Sequence, residues 1–139
     1  MHLNRRTLAM AAALSILTLG SSLSATLTLK DLEGAWLADG TDCDVIFSRS
    51  SGKTTLRQPV NEFVAGFIIS RDSLRSPLAS CRIQKVIPIE NGARLMMTCT
   101  NSMSTGQVVT TLRLGRAGML ERIGDGDTAI AYYNRCRLK

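Results

Sequence analysis

Cys43, Cys81, Cys99 and Cys136 are the residues whose type constrains the chemistry most. A cysteine can be a nucleophile, a metal ligand or half of a bridge. The four lie 38, 18 and 37 residues apart, with no CxxC or HxxxH pair among them. That spacing does not fit a zinc site, whose ligands come in close pairs. An even count in an exported chain points instead to two disulfides. Carboxylates are the second chemical resource. Asp39, Asp42 and Asp44 cluster in sequence, as do Asp125 and Asp127. Paired carboxylates can hydrolyse glycosides, but both groups fall where glycine and aspartate read as turns. "DGD" lacks the further ligands of a calcium loop.

The only histidine is His2. The rest of the chain therefore has no Ser-His-Asp or Cys-His nucleophilic pair, no histidine acid–base group and no histidine-bound metal. No glycine loop of the phosphate-cradling kind occurs. The expectation is a protein that is not an enzyme and carries no cofactor and no metal.

Residues 1–25, "MHLNRRTLAMAAALSILTLGSSLSA", have a basic start at Arg5 and Arg6, an apolar stretch from Leu8 to Leu19, and small residues after it. This is the pattern of a secretory signal peptide, and the apolar stretch is too short to span a bilayer. The expected domain is 26–139, about 114 residues, enough for one small core that gains from staples. The expected setting is the periplasm or the outside of the cell, with no integral membrane segment in the mature chain. Net charge is +6 for the whole chain and +4 without Arg5 and Arg6. Six aromatics in all, none interleaved with a basic run, argue against nucleic-acid binding.

The elements that must position these residues read as short strands. "CDVIFSR", "FVAGFIIS", "CRIQKVIPI", "RLMMTC", "QVVTTLRL", "MLERI" and "AIAYYNRC" are rich in β-branched and apolar residues. Turn signals separate them at Ser51-Gly52, Asn91-Gly92, Thr105-Gly106, Ala117-Gly118 and Gly124-Asp125-Gly126. Seven or eight such strands joined by hairpins predict an all-β fold. We expect a small antiparallel up-and-down barrel, which leaves no open edges, with a sandwich as the alternative. Pro88 reads as an edge position or a bulge. Trp36, the only tryptophan, is expected to plug one barrel end as a structural anchor, with Gly34 allowing close packing.

In "KVIPIENGARLMMTCT", Asn91-Gly92 predicts a two-residue turn that pairs Glu90 with Ala93. Cys99 then falls opposite Gln84, which places Cys81 and Cys99 on opposite faces. A bulge would undo that, but as it stands the register disfavours a Cys81–Cys99 bridge. Of the three connectivities the preferred one is Cys43–Cys81 with Cys99–Cys136.

"TLTLKDLEGAW" followed by "CDVIF" resembles the start of the bacterial secreted inhibitors of serralysin-type metalloproteases, in its short apolar lead, its Leu-x-Gly-x-Trp element and its cysteine-led strand. The match covers about residues 26 to 47. The Gly-x-Trp element is also similar to the start of lipocalins. The inhibitor resemblance implies an eight-stranded barrel whose lead segment enters the protease cleft. It would place Thr26, Leu27, Thr28 and Leu29 against a protein partner, a secreted or periplasmic metalloprotease, with the folded part beginning at Asp31. It also implies a Cys43–Cys81 bridge. Three functions follow as expectations: protease inhibition by cleft occlusion, a lipocalin-like carrier of a small apolar ligand, and an envelope or host-facing interaction protein.

Overall fold

The computed structural model describes residues 26–38 and 40–139; the expected signal segment, 1–25, and Asp39 lie outside the described residues. A single helical turn, α1 (Leu29–Leu32), leads into β1 (Gly34–Leu37). A second turn, α2 (Cys43–Ile46), runs into the hairpin β2 (Phe47–Ser50) and β3 (Lys53–Leu56). Then come β4 (Gly66–Ser70), β5 (Ser73–Arg75), β6 (Ser80–Ile89), β7 (Gly92–Thr100), β8 (Thr105–Leu114), β9 (Leu120–Ile123) and β10 (Ala129–Arg135). Strands β4 to β10 pair in chain order, and β1 closes the ring between β10 and β4. All pairings are antiparallel. The result is the expected eight-stranded up-and-down barrel, with β2–β3 as a separate two-stranded sheet.

Two cores follow from this arrangement. Inside the barrel, Trp36, Phe67, Ile69, Ile83, Ala93, Leu95, Met97, Leu112, Leu120 and Tyr133 pack together with Leu32 of α1. Outside it, α2 and the β2–β3 hairpin cover the outer wall of β1 and β4, where Ile46 and Phe47 meet Ala35, Leu37 and Ile68. Strand β4 is thus covered on both sides, and all four residues Gly66–Ile69 are buried. That is why "GFII" is a continuous apolar run and not an alternating one. The segment "CDVIFSR", expected as one strand, is helical over Cys43–Ile46 and becomes a strand only from Phe47. Cys43 and Ile46, three residues apart, turn toward the outer core, while Asp44 and Val45 are exposed. This is helix spacing.

The disulfides are Cys43–Cys136 and Cys81–Cys99. The preferred connectivity, Cys43–Cys81 with Cys99–Cys136, is therefore wrong. Two features of the β6–β7 hairpin explain it. Ile89 pairs with Gly92, so the turn residues are Glu90 and Asn91, and Asn91 takes the positive φ of 56°. Moving the turn by one residue leaves the face assignment unchanged, because both strands shift together. The second feature decides the matter. A bulge at Gln84 shifts the register between Ile83 and Lys85, and Cys81 then pairs directly with Cys99 at a Cα–Cα distance of 3.9 Å. One extra residue in one strand is what flips the face. Gly92 belongs to the ladder rather than the turn: a Cβ there would clash with the Leu112 carbonyl oxygen of β8. Pro88 sits where β6 has a strand on one side only, since β5 covers no more than Ser80–Arg82. This is the edge position that a residue without an N–H tolerates.

Candidate functional site

The two ends of the barrel differ. At one end, α1 forms a cap. Asp31 accepts hydrogen bonds on Oδ2 from the Thr28 backbone N–H (2.7 Å) and the Thr28 hydroxyl (2.8 Å). These bonds hold the Asp31 carboxyl below the usual aspartate range, the backbone N–H contributing most. Trp36 is fully buried, and its indole N–H donates to the Leu32 carbonyl at 2.9 Å. The Arg135 guanidinium lies 4.2 Å from the centre of the Trp36 ring and donates to the carbonyls of Asp31 and Glu33. A planar donor stacked on an aromatic ring suits arginine particularly. Gly34 has φ 132°, and a Cβ there would come within 2.9 Å of Arg135 Nη1. This end is sealed by side chains that satisfy one another.

That geometry bears on the lead segment. Thr28 caps α1, while Leu29 opens it and packs against the inner core. Among the described residues the first element is thus capped at Thr28, three residues before Asp31, where the folded part was expected to begin. Of the four residues assigned to a partner, only Thr26 and Leu27 precede the capped turn.

The opposite end is open. Its cavity has a volume of about 480 Å³, smaller than grooves of about 600–730 Å³ on the outside of the barrel, so its apolar lining and not its size sets it apart. The floor is apolar. Phe67 and Tyr133 meet edge to face there with ring centres 4.8 Å apart, and Leu112 and Met97 stand beside them. The wall is completed by Leu74, Val108, Thr110 and the Cys81–Cys99 bridge, which points inward at the rim. Pairing parity accounts for these positions: Val108, Thr110 and Leu112 occupy one face of β8, and Leu112 belongs to the inner core. Trp36 does not line this cavity.

Three loops surround the opening, and each presents an exposed apolar residue. Leu78 lies in the β5–β6 loop and lines the cavity itself. Phe63, 98% exposed, directly precedes Val64 of the lining. Met103, 90% exposed, sits in the β7–β8 turn, where the Asn101 side chain accepts the backbone N–H groups of Met103 and Ser104. A rim of large apolar side chains in water is uncommon unless the surface meets something.

The carboxylate groups show no shared chemistry. Asp127 pairs with Arg113 at 3.1 Å, and Arg113 also binds Glu121 at 3.1 Å. No cluster of three His, Cys, Asp or Glu side chains able to hold a metal occurs among the described residues. The sequence did not reveal the opening or Arg122, the one charged side chain that lines it among the described residues. The available signal was parity in "MLERI", where Leu120 and Arg122 share a face of β9.

Fold and site together define a small disulfide-stapled up-and-down β-barrel, capped at one end and open at the other onto an apolar cavity. No family model, no curated protein and no solved structure matches the chain. No helix among the described residues is long and apolar enough to cross a membrane, which says nothing of strands. The two disulfides fit an oxidising setting outside the cytoplasm.

Proposed function

We propose that this protein is a periplasmic or secreted carrier that holds a small apolar ligand in the open end of its barrel. The supporting observation is the cavity of about 480 Å³ floored by Phe67, Tyr133, Leu112 and Met97. Apolar surface left in contact with water is unfavourable in proportion to its area; the floor side chains are themselves largely buried, so the area a guest would cover lies at the rim, at Leu78 and Val108 above all. The capped end supplies rigidity, and the exposed loops supply an entrance.

Protease inhibition through the lead segment draws less support. Thr28 and Leu29 are committed to the capped turn, so two described residues remain where four were needed. An extended insertion gains affinity from successive main-chain bonds, and two residues provide few.

The test uses the neutral fluorescent dye N-phenyl-1-naphthylamine with the oxidised protein. Saturable binding with enhanced fluorescence is expected. Thr110→Trp, at a half-buried lining position, should fill the cavity and abolish binding while leaving the melting temperature nearly unchanged. No dye binding, or equal binding by the filled variant, overturns the carrier reading.

A further inference from the structure

Among the described residues, the cavity wall carries a single charged side chain, Arg122. Its place follows from register. On β9, Leu120 pairs with inward-facing Tyr133, and two residues on Arg122 pairs with Ala131 and Leu112, both of which pack in or against the inner core. An inward position on a short strand ordinarily carries an apolar residue, as Leu120 does. Arg122 is nevertheless exposed while Leu120 is buried: β9 ends at Ile123 and the wall is incomplete beyond it, so the arginine reaches water. β8 runs on from Thr110 back to Thr105 without β9 beside it. The side chain thus stands where the cavity meets this gap, and it lines both the cavity and the outer notch.

Its guanidinium is also unspent. Arg113 and Arg82 pair with carboxylates, and Arg57 and Arg135 donate to backbone carbonyls. The Arg122 guanidinium forms no ion pair and no hydrogen bond with any described residue, as is also true of the surface residues Arg49, Arg75, Arg116 and Arg137; what sets Arg122 apart is its place on the cavity wall. Asp125 borders the outer notch with it but does not line the cavity, and the two form no ion pair. Guanidinium matches a carboxylate by two parallel N–H···O bonds, and such charge-assisted bonds are roughly twice as strong as neutral ones.

Resting on the carrier reading, we infer that the ligand is a single-chain amphiphile with a carboxylate head. Its apolar body lies on Phe67, Tyr133, Leu112 and Met97, and its head meets Arg122 at the rim. The volume accommodates one chain. The position of the arginine at the gap leaves the head partly hydrated, so the charge is not buried unpaired. The same arrangement sets specificity: an uncharged chain of equal length keeps the apolar contacts and loses the paired bonds.

The test is calorimetric titration of the oxidised protein with dodecanoate and with dodecanol, both below their aggregation concentrations. Dodecanoate is expected to bind about two- to fivefold more tightly than dodecanol, as for an ion pair with an exposed arginine. Arg122→Gln should remove that preference, bringing the two affinities together. The variant should melt with the native protein, since Arg122 has no partner to lose. Equal affinities for the two probes in the native protein overturn the inference while leaving the carrier reading standing. So does a variant that keeps the acid preference. If neither probe binds the native protein, the carrier reading itself falls. The native-protein comparison decides the matter even if the variant does not fold.

Discussion

Removing the outer bridge by Cys43→Ala with Cys136→Ala should destabilise the domain through its unfolded state. The bridge joins residues 93 apart in sequence. In the chain-entropy account a loop of that length is worth about 4.6 kcal/mol at room temperature. The inner Cys81–Cys99 bridge bypasses 18 of those residues, and the shorter effective loop lowers the figure by only about 0.2 kcal/mol. The expected loss is therefore about 4.4 kcal/mol, a large fraction of the stability of a domain this size. Both cysteines lie half-buried against the outer core and not in the barrel interior, so lost packing adds little. Urea unfolding under non-reducing conditions measures the loss. The m-value should rise, because an unfolded chain freed of its long loop exposes more surface. A thiol count on the unfolded variant supplies an independent check, with no free thiol expected because Cys81 remains joined to Cys99. A loss below about 2 kcal/mol with unchanged m would refute the loop argument. Two reactive thiols would refute the pairing itself.

Arg135→Met keeps an apolar stem over Trp36 but strips two donors from the Asp31 and Glu33 carbonyls. Stability should fall by about 2 kcal/mol, whereas Arg82→Met, which breaks only the exposed 3.8 Å pair with Asp72, should cost under about 0.5 kcal/mol; paired thermal melts compare them. The Asp31 carboxyl titrates low because Thr28 donates to its charged form. Its contribution is therefore present above the ordinary aspartate value and is lost as pH falls through the lowered one. The melting-temperature gap between the native protein and Asp31→Ala should hold from neutral pH down to about 4 and close below it. A gap that does not change with pH would show that the capping carboxylate plays no such part.

The barrel was legible because its punctuation is local. Glycine, asparagine and aspartate mark the turns, and β-branched runs of strand length lie between them. The Trp36 end was legible for a related reason: one large ring beside a glycine has few uses in a small barrel. Connectivity was not legible, because it turned on a single bulge at Gln84, and nothing in "RIQKV" distinguishes a bulged residue from a paired one. A one-residue insertion carries almost no compositional signature but reverses every side chain beyond it. The α2 turn was hidden similarly, since "CDVIF" satisfies both a period of two and a spacing of three until the outer core is known to exist.

The opening was hidden by a different physics. Its lining is assembled from β4 to β10, and no two of its floor residues are neighbours in the chain. What empties this half of the barrel is unequal strand length. β6, β7 and β8 run nine or ten residues, while β9 stops after four. The long strands carry the wall past the point where the short ones can supply inward side chains. The interior therefore fills completely beside α1 and remains open at the other end, and Arg122 stands at the step between the two. Lengthening β9 by two paired residues would close the gap and force that guanidinium either into the apolar interior or out of the barrel. The short strand is thus the element that lets one barrel hold a packed core and a charged rim together.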